Sequence, residues 1–241
     1  MKYQEGYNVK FHDTDVNEVV SVSHILKFMQ ETSMRHMKSR KPSYEELFED
    51  KKAFILSNVR LEIYNPVYAY EDITVKTWAC PSRGFSFMRS YCMERNGETM
   101  AEAHTTWALV STEEKKLYKV TDIDLSNYDT DEPVSLENPL RIRIPNDIPL
   151  SLIGEYTVRF TDTDLNGHMN NTNYPDMIIN CMPSPEKIRV KSIGISFIND
   201  IKRNESVKIY MVRTDGKYYF RSIKEDGSTN IEAEIITENL E

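Results

Sequence analysis

The sequence contains no long hydrophobic run, and none of its segments approaches the roughly 20 consecutive apolar residues of a membrane-spanning helix. The N-terminus shows no apolar core of a secretory signal peptide. There are only three cysteines and no C-x-x-C pair, which argues against a disulfide framework and a thiol redox motif. We therefore expect a cytoplasmic protein without a membrane span.

Positive charge is scarce as well: 30 lysines and arginines face 38 aspartates and glutamates, for a formal net charge of −8. Because nucleic-acid binding needs a basic face, we expect no nucleic-acid partner, although a local basic patch is compatible with an acidic protein partner. The five histidines have no H-E-x-x-H or paired spacing, so we expect no metal site. The absence of G-x-S-x-G excludes the α/β-hydrolase mechanism.

What the sequence does contain is one pattern that occurs twice. Residues 7–17 and 156–166 share Y-x-V-K/R-F-x-D-T-D-V/L-N at an offset of 149 positions (156 − 7). Two residues after the pattern, the first copy has Val19 and the second has His168. This duplication indicates two structural halves, of which one carries an ionisable ring for chemistry.

Both copies are predicted to have a strand, a helix and then several strands. In the first copy, apolar residues recur at helical spacing from Ser21, with Ser21 or Ser23 as N-cap, and Ser43 with Glu46 forms the capping box of a second short helix. Its strands are expected at Tyr3–Phe11, Phe54–Tyr64, Ile73–Ala79, Phe85–Glu94 and Thr99–Ser111. The second copy is expected to have a strand at Tyr156–Phe160, a helix at Tyr174–Asn180 and strands at Ile188–Phe197, Val207–Arg213, Tyr218–Lys224 and Ile231–Thr237. Hairpin turns are expected at Asn96-Gly97, Asp215-Gly216 and Asp226-Gly227.

The segment between the copies, about 121–149, is rich in Asp, Asn and Pro without periodicity, which is typical of a linker. We therefore predict an α+β double hot-dog fold, in which two tandem repeats each wrap an antiparallel β-sheet around a central helix. The predicted units are an N-terminal hot-dog at 1–125, a linker at 126–150 and a C-terminal, catalytic hot-dog at 151–241.

The densest polar cluster begins at Asp162. Asp162-x-Asp164-x-Asn166-Gly matches the start of an EF-hand calcium loop, but its twelfth position is Asn173 instead of the required Glu, so we do not expect calcium. Asp and Asn at such a place often serve only to turn the backbone. His168 is different, because a turn needs no imidazole, and we expect a catalytic or substrate-orienting role for it.

The segment Asp164-Leu-Asn166-Gly-His168-Met-Asn170-Asn171, followed by Tyr174, resembles the D-x-N-x-H-x-N-N motif of the acyl-acyl carrier protein thioesterases of bacteria and plants. The resemblance covers nearly the whole chain, since the D-T-D turn is in both halves and the full motif only in the second. It implies hydrolysis of fatty acyl-acyl carrier protein thioesters in fatty acid biosynthesis, releasing free fatty acid. It also implies that no cofactor is needed, and it leaves a homodimer open.

The family has a carboxylate about 30 residues after the histidine, which implies Asp200 here (200 − 168 = 32). Plant members usually have Glu at this point, with a Cys beside it where this chain has Ile201, so a cysteine nucleophile is not supported. The implied catalytic set is Asp164, Asn166, His168 and Asp200. His168 with Asp200 would activate water, Asn166 would hold water or the carbonyl, and Asp164 would fix the loop.

For substrate binding, the resemblance points to the motif's end and to the longer first helix. Backbone N–H groups near Asn170 and Asn171 are candidates for polarising the thioester oxygen, and Tyr174 follows them. Ile25 and Met29 are candidates for the acyl tunnel, although a core-facing helix side explains them equally well.

The implied partner is acyl carrier protein bearing a fatty acyl chain on its phosphopantetheine arm. This carrier is acidic, so docking needs a local basic patch. The candidate patches are Arg35–Lys41, Arg141 with Arg143, and Lys202 with Arg203. Three alternatives stay open: an acyl-CoA thioesterase, a non-catalytic hot-dog protein that binds acyl thioesters, and a dehydratase on the same fold.

Overall fold

The computed structural model describes residues 2–114, 116–142, 144 and 148–240. The first half contains β1 (Tyr3–Asn8), α1 (Val22–Lys38), α2 (Tyr44–Glu49), β2 (Lys52–Ile63), β3 (Asp72–Arg83), β4 (Ser86–Arg95), β5 (Glu98–Ser111) and β6 (Leu117–Tyr118). The second half contains β7 (Ser151–Thr157), α3 (Tyr174–Ile179), β8 (Ile188–Phe197), β9 (Ser206–Thr214), β10 (Lys217–Lys224) and β11 (Thr229–Asn239).

The two halves have the same strand order. The sheet runs β1-β3-β4-β5-β2 in the first half and continues as β8-β11-β10-β9-β7 in the second, with β6 paired to β5. At the junction, Val59 pairs with Ile195 and Leu61 with Ile193, both antiparallel. In these strands, equivalent positions of the two halves differ by 134 in residue number, so Val59 corresponds to Ile193 and Leu61 to Ile195. The two pairs are therefore related to each other by a local two-fold axis. The predicted α+β double hot-dog is therefore confirmed, with both repeats in one continuous sheet.

Helix α1 forms where the apolar spacing predicted it. Ser21 is the N-cap, and its hydroxyl accepts a hydrogen bond from the His24 N–H. Ile25, Leu26 and Met29 form its buried face against the sheet. Each such side chain contributes about 1.5–3 kcal/mol by leaving water. The capping box of α2 also forms as predicted.

The first strand of each copy is shorter at its C-terminal end than predicted. β1 ends at Asn8 and β7 at Thr157, and Phe11–Asp13 and Phe160–Asp162 each form one turn of 3-10 helix. The predicted strands Tyr3–Phe11 and Tyr156–Phe160 are therefore wrong at their C-terminal ends, and β7 also begins at Ser151, five residues before the predicted start (156 − 151). The cause at the C-terminal ends is a carboxylate that accepts a backbone N–H three residues earlier and closes the turn, which strand alternation does not reveal.

Two of the three predicted hairpin turns have the expected two-residue geometry, whereas at Asp226-Gly227 only Gly227 takes a positive φ, of 84°. Asn96 and Gly97 have φ of 53° and 81°, and Asp215 and Gly216 have φ of 52° and 76°. Two successive residues in the left-handed region define the turn whose twist matches a β-hairpin. None of the described helices combines the length and the apolar character that a membrane crossing requires.

The predicted linker forms a strap across the outer face of the sheet. Its described residues within 126–142 lie in no helix or strand, yet they hydrogen-bond the strands beneath. The Glu62 carboxylate accepts the N–H groups of Glu137 and Asn138, at 2.9 and 2.8 Å. The Arg60 Nε donates to the Pro139 carbonyl at 2.9 Å. The strap thus covers polar side chains that alternate with core-facing residues along β2.

Candidate active site

The second D-T-D turn (residues 162–168) is held by one carboxylate. The Asp164 Oδ1 accepts the N–H groups of Asn166 and His168, at 2.8 and 3.3 Å. The Asp164 N–H donates to the His168 carbonyl at 2.8 Å, and Gly167 takes φ of 76°. The carboxylate that was expected to fix the loop is therefore engaged with the loop's own backbone.

The first D-T-D turn (residues 13–19) has the same backbone hydrogen bonds. The Asp15 Oδ1 accepts from the Asn17 and Val19 N–H groups, at 2.8 and 3.4 Å. Glu18 takes φ of 62° where the second turn has Gly167. Since this turn forms without a histidine, the Asp and its bonds are structural in both copies.

His168 and Asp200 are brought together by backbone pairing between the second turn and the segment after β8. His168 pairs with Lys202 in an isolated antiparallel bridge, and the Met169 N–H donates to the Ile201 carbonyl at 2.9 Å. As a result, the His168 Nε2 lies 2.8 Å from the Asp200 Oδ2. The pair is accessible, with the imidazole 36% and the carboxylate 55% exposed.

This contact sets the tautomer of the imidazole. An ionised carboxylate only accepts hydrogen bonds, so Nε2 carries the proton that it donates to Asp200. In the neutral ring, Nδ1 is then the free acceptor, which is the atom able to take a proton from water. In the first copy the equivalent positions are Val19 and Pro66, which can do neither.

The motif's asparagines have different surroundings. The Asn166 side chain is exposed and makes no hydrogen bond within the described ranges, so its amide is free for a ligand. The Asn170 Oδ1 caps the following turn by accepting from the Thr172 N–H, at 3.0 Å. The Asn170 N–H donates to the Asp162 carbonyl at 2.8 Å, which leaves Asn171 as the candidate backbone donor for an oxyanion.

Tyr174 lies behind the site and not on its surface. Its side chain is 2% exposed, and its ring contacts Phe197 edge to face at 5.2 Å. The hydroxyl accepts a hydrogen bond from the Asn230 Nδ2 at 3.2 Å. Burial raises the pKa of the Tyr174 phenol to about 12, so it stays neutral at physiological pH.

Asn230 and its neighbour Ser222 were not predicted as site residues; both are fully buried, and they are hydrogen-bonded to each other. The signal that could have identified them is the duplication itself. Extended along the strands, it places these two polar residues where the first copy has Met100 and Met93, at offsets of 130 (230 − 100) and 129 (222 − 93).

A largely apolar cavity of about 420 Å³ opens at the first turn, between the two halves. Its lining includes the apolar residues Val19, Ile25, Pro66, Met93 and Ala101, together with the charged residues Asp15, Asp176 and Arg189. Its volume is in the range of small-molecule sites. Of the two predicted tunnel residues, Ile25 lines this cavity.

Met29, the other predicted tunnel residue, is buried in the core and lines neither this cavity nor a second, larger one. The latter is an open cleft of about 560 Å³ between α1 and residues 161–173, with Asn170 in its lining.

The three predicted basic patches differ in how much charge they present. In the first, Arg35 is paired with Glu5 and Glu31, and Lys41 with Glu46. Burial also lowers the pKa of His36 in that run to about 4. Two of the four lysines and arginines of this run are therefore paired with carboxylates.

In the second patch Arg141 is exposed, and Arg143 lies outside the described residues. In the third, Lys202 and Arg203 are exposed and directly follow Asp200 and Ile201, with the Arg203 guanidinium 5.2 Å from the centre of the Phe160 ring. This patch adjoins the His168–Asp200 pair.

The cysteines offer no activated thiol. Cys80 and Cys92 are buried and Cys181 is half-buried, and burial raises the pKa of each thiol, to about 11 for Cys92. Within the ranges that the structure describes, no three His, Cys, Asp or Glu side chains are grouped as metal ligands.

Known proteins resemble this chain along its length. It is 21% identical over 199 residues to a chloroplastic acyl-(acyl-carrier-protein) hydrolase of Cuphea viscosissima. This alignment covers 76% of this chain and 48% of the hydrolase. It is 19% identical over 217 residues to the chloroplastic palmitoyl-acyl carrier protein thioesterase of Arabidopsis thaliana. This alignment covers 84% of this chain and 53% of the thioesterase. The chain thus spans about half the length of these curated relatives.

Two solved structures share the fold. An acyl-ACP thioesterase from Bacteroides thetaiotaomicron superposes with a TM-score of 0.88 at 18% identity, over 98% of this chain and 97% of that one. The 12:0-ACP thioesterase from Umbellularia californica superposes with a TM-score of 0.86 at 15% identity, over 99% of this chain and 97% of that one.

Family models match both halves. The acyl-ACP thioesterase N-terminal domain matches residues 1–128, and the C-terminal domain matches residues 147–239. On the strength of these matches, the chain belongs to the acyl-ACP thioesterase family.

Proposed function

We propose that this protein hydrolyses fatty acyl thioesters of acyl carrier protein, releasing free fatty acid and the carrier's thiol. The observation that carries the proposal is the 2.8 Å contact between the His168 Nε2 and the Asp200 Oδ2, in the one copy that has the full motif. A protein that only bound acyl thioesters would have no use for an oriented, accessible imidazole next to a carboxylate.

The chemical steps follow from this geometry. A water molecule attacks the thioester carbonyl carbon while the His168 Nδ1 takes one of its protons. The Asp200 carboxylate, hydrogen-bonded to Nε2–H, stabilises the imidazolium that forms. When the tetrahedral intermediate collapses, the carbon–sulfur bond breaks and the imidazolium returns the proton to the leaving sulfur. The products are a carboxylic acid and a thiol.

The remaining motif residues supply polar contacts to the reacting group. The free Asn166 amide is suited to hold the attacking water or the carbonyl oxygen. The Asn171 N–H, at the start of the turn that leads into α3, is suited to stabilise the developing oxyanion. Asp164 acts indirectly, by keeping His168 in place through the turn.

For the partner, we propose that acyl carrier protein docks at Lys202 and Arg203. These exposed cations adjoin the catalytic pair, so an acidic carrier bound there would deliver its arm to His168. We also propose that the acyl chain extends into the cavity lined by Ile25. Most of its lining residues are apolar, as a hydrocarbon chain requires, and its charged residues are Asp15, Asp176 and Arg189.

The test compares hydrolysis of hexadecanoyl-acyl carrier protein with that of hexadecanoyl-CoA, using the wild type and the His168→Ala and Asp200→Ala variants. We expect kcat/KM to be higher for the carrier substrate, to fall with added salt, and to drop by about 10²–10⁴-fold in His168→Ala. A preference for the CoA substrate would identify an acyl-CoA thioesterase instead. Binding of both thioesters without turnover would identify a non-catalytic protein.

The docking site has its own experiment. The Lys202→Glu/Arg203→Glu variant is expected to raise KM for the carrier substrate by about tenfold and to raise KM for the CoA substrate less, because CoA has anionic phosphates but no acidic protein surface. The matched control is Lys38→Glu, a charge reversal in the first basic run. An equal effect of both variants would contradict docking at Lys202 and Arg203.

A further inference from the structure

The segment that carries Asp200 is held by Asn230 on the neighbouring strand. The Asn230 carbonyl accepts the N–H groups of Ile198 and Asn199, at 2.9 and 3.1 Å. The Asn230 Nδ2 also donates to the Asn199 carbonyl, at 2.5 Å. That carbonyl belongs to the peptide unit that enters Asp200, so the Asn230 side chain restrains the backbone from which the Asp200 carboxylate projects.

The orientation of the Asn230 amide is itself determined by two buried hydroxyls. The Ser222 hydroxyl accepts the Ile231 N–H at 3.2 Å and donates to the Asn230 Oδ1 at 2.9 Å. The Asn230 Nδ2 then faces the Tyr174 hydroxyl, which accepts from it at 3.2 Å. Asn230 and Ser222 are 0% exposed and Tyr174 is 2% exposed, so these bonds are made in a water-excluded environment.

The first copy has the same backbone bonds without this polar network. There the Met100 carbonyl accepts the N–H groups of Tyr64 and Asn65, at 2.8 and 3.2 Å. The three polar side chains correspond to Ile25, Met93 and Met100, all buried and apolar. Because a hot-dog half folds with hydrocarbon at these positions, the fold does not require the network. Burying three polar groups is costly unless they are mutually satisfied, so their presence calls for another role.

The residue that replaces Asp200 in the first copy indicates this role. It is Pro66, whose ring fixes its own φ without any side-chain hydrogen bond. Asp200 has no such covalent restraint, its side chain is 55% exposed, and its backbone carbonyl is held by the Lys224 ammonium at 3.0 Å. A hydrogen bond at the preceding peptide substitutes for the missing ring.

We propose that Asn230 is a positioning residue for Asp200, with Ser222 and Tyr174 orienting its amide. The network keeps the carboxylate within hydrogen-bond distance of the His168 Nε2 and does not touch the substrate. This role rests on the proposed hydrolytic function, and it assigns Tyr174 to support of the catalytic pair instead of direct substrate binding.

The principal variant is Asn230→Leu, which keeps the shape of the side chain and removes its hydrogen bonds. We expect kcat for hexadecanoyl-acyl carrier protein to fall by about 10- to 100-fold while KM stays within about twofold, because a misplaced carboxylate impairs the chemical step. The matched control is Thr77→Val, which removes a fully buried hydroxyl that donates to the Ser90 carbonyl in the first copy. It should lower the melting temperature without lowering kcat.

The decisive readout is a double-mutant cycle with Asp200→Asn. If Asn230 acts through Asp200, adding Asn230→Leu to Asp200→Asn should lower kcat by less than about twofold further. Multiplying effects would show a general structural role and overturn the proposal. Should Asn230→Leu fail to fold, Ser222→Ala takes its place, with a smaller expected loss and the same requirement of non-additivity.

The outcomes also separate this proposal from the proposed function. A large loss in Asp200→Asn with unchanged kcat in Asn230→Leu and Ser222→Ala overturns the positioning role and leaves the hydrolytic mechanism standing. Unchanged kcat in Asp200→Asn as well overturns both.

Discussion

The two D-T-D turns of this protein have matching backbone bonds and different chemistry. In both, an Asp Oδ1 accepts two N–H groups and the residue before the last takes a positive φ. Only the second presents an imidazole to a carboxylate. The comparison therefore separates residues that hold the backbone of the turn, which are Asp15 and Asp164, from His168, which the turn presents to Asp200.

This separation gives each variant in the second copy a matched position in the first. Variants at matched positions therefore test whether the two turns share their stability and differ in their chemistry.

The largest effect is expected from converting His168 to the residue of the first copy. His168→Val should lower kcat for an acyl-acyl carrier protein substrate by about 10²–10⁴-fold, because the general base is lost, while the melting temperature stays nearly unchanged. Steady-state kinetics and thermal unfolding measure the two quantities. Val19→Thr is the control in the first turn and should leave kcat as it is. A His168→Val protein with wild-type turnover would remove the chemical difference between the turns.

The next effect concerns His36, in the part of α1 that extends beyond the length of α3. Burial lowers the pKa of His36 to about 4 in the folded state, against about 6.5 when unfolded. Between these values the unfolded chain binds more protons, so the free energy of unfolding should fall as pH drops from 6.5 to 4, by up to about 3 kcal/mol. Urea unfolding at several pH values measures it. His36→Gln, which keeps an acceptor for Arg89, should flatten this dependence; an unchanged slope would contradict it.

A smaller effect is expected at the turn carboxylates. Asp15→Ala and Asp164→Ala should each lower the free energy of unfolding by about 1–2 kcal/mol, because each removes an acceptor for two N–H groups. Urea denaturation of both variants tests whether the turns are equivalent in stability. Only Asp164→Ala should also lower kcat, through movement of His168. Loss of activity without loss of stability in Asp164→Ala would point to a direct catalytic part for its carboxylate.

The smallest effect is expected in the cavity at the first turn. Ala101→Leu should fill part of it, as Ile231 does at the equivalent place in the second copy, and lower kcat/KM severalfold for the longest acyl chains only. Hydrolysis of a ladder of acyl carriers, followed by mass spectrometry of the products, measures chain-length preference. A uniform change for all lengths would argue against an acyl chain in this cavity.

Much of the fold was predictable because it rests on local pattern. Strand alternation located β8 at Ile188–Phe197, and the Ser43–Glu46 capping box located α2. The limits of β1 and β7 were not predictable in this way, since they depend on side-chain bonds of Asp13 and Asp162. Composition likewise identified the region between the halves but not its packing, which depends on buried partners such as Glu62.

The candidate site was predictable to a different extent. The resemblance paired His168 with Asp200, and the structure places them in contact. The support behind them was not predicted, because Ser222 and Asn230 lie on separate strands and carry no motif. The strand register aligns them with Met93 and Met100 of the first copy, and only this comparison shows that two polar residues stand where the fold also accepts apolar ones. The catalytic roles and the unit boundaries at 125 and 150 stay predictions.

The pairing of β2 with β8 has a consequence for symmetry. In a homodimer of identical half-chains every substitution would be present in both turns, so Val19 in one turn and a histidine paired with a carboxylate in the other could not coexist. Here the two-fold axis lies within one chain. The pairing of β2 with β8, in which Val59 lies opposite Ile195, holds the two halves in one sheet regardless of protein concentration. Covalent continuity thus releases each turn from having to match the other, and Val19 and His168 occupy equivalent places in one molecule.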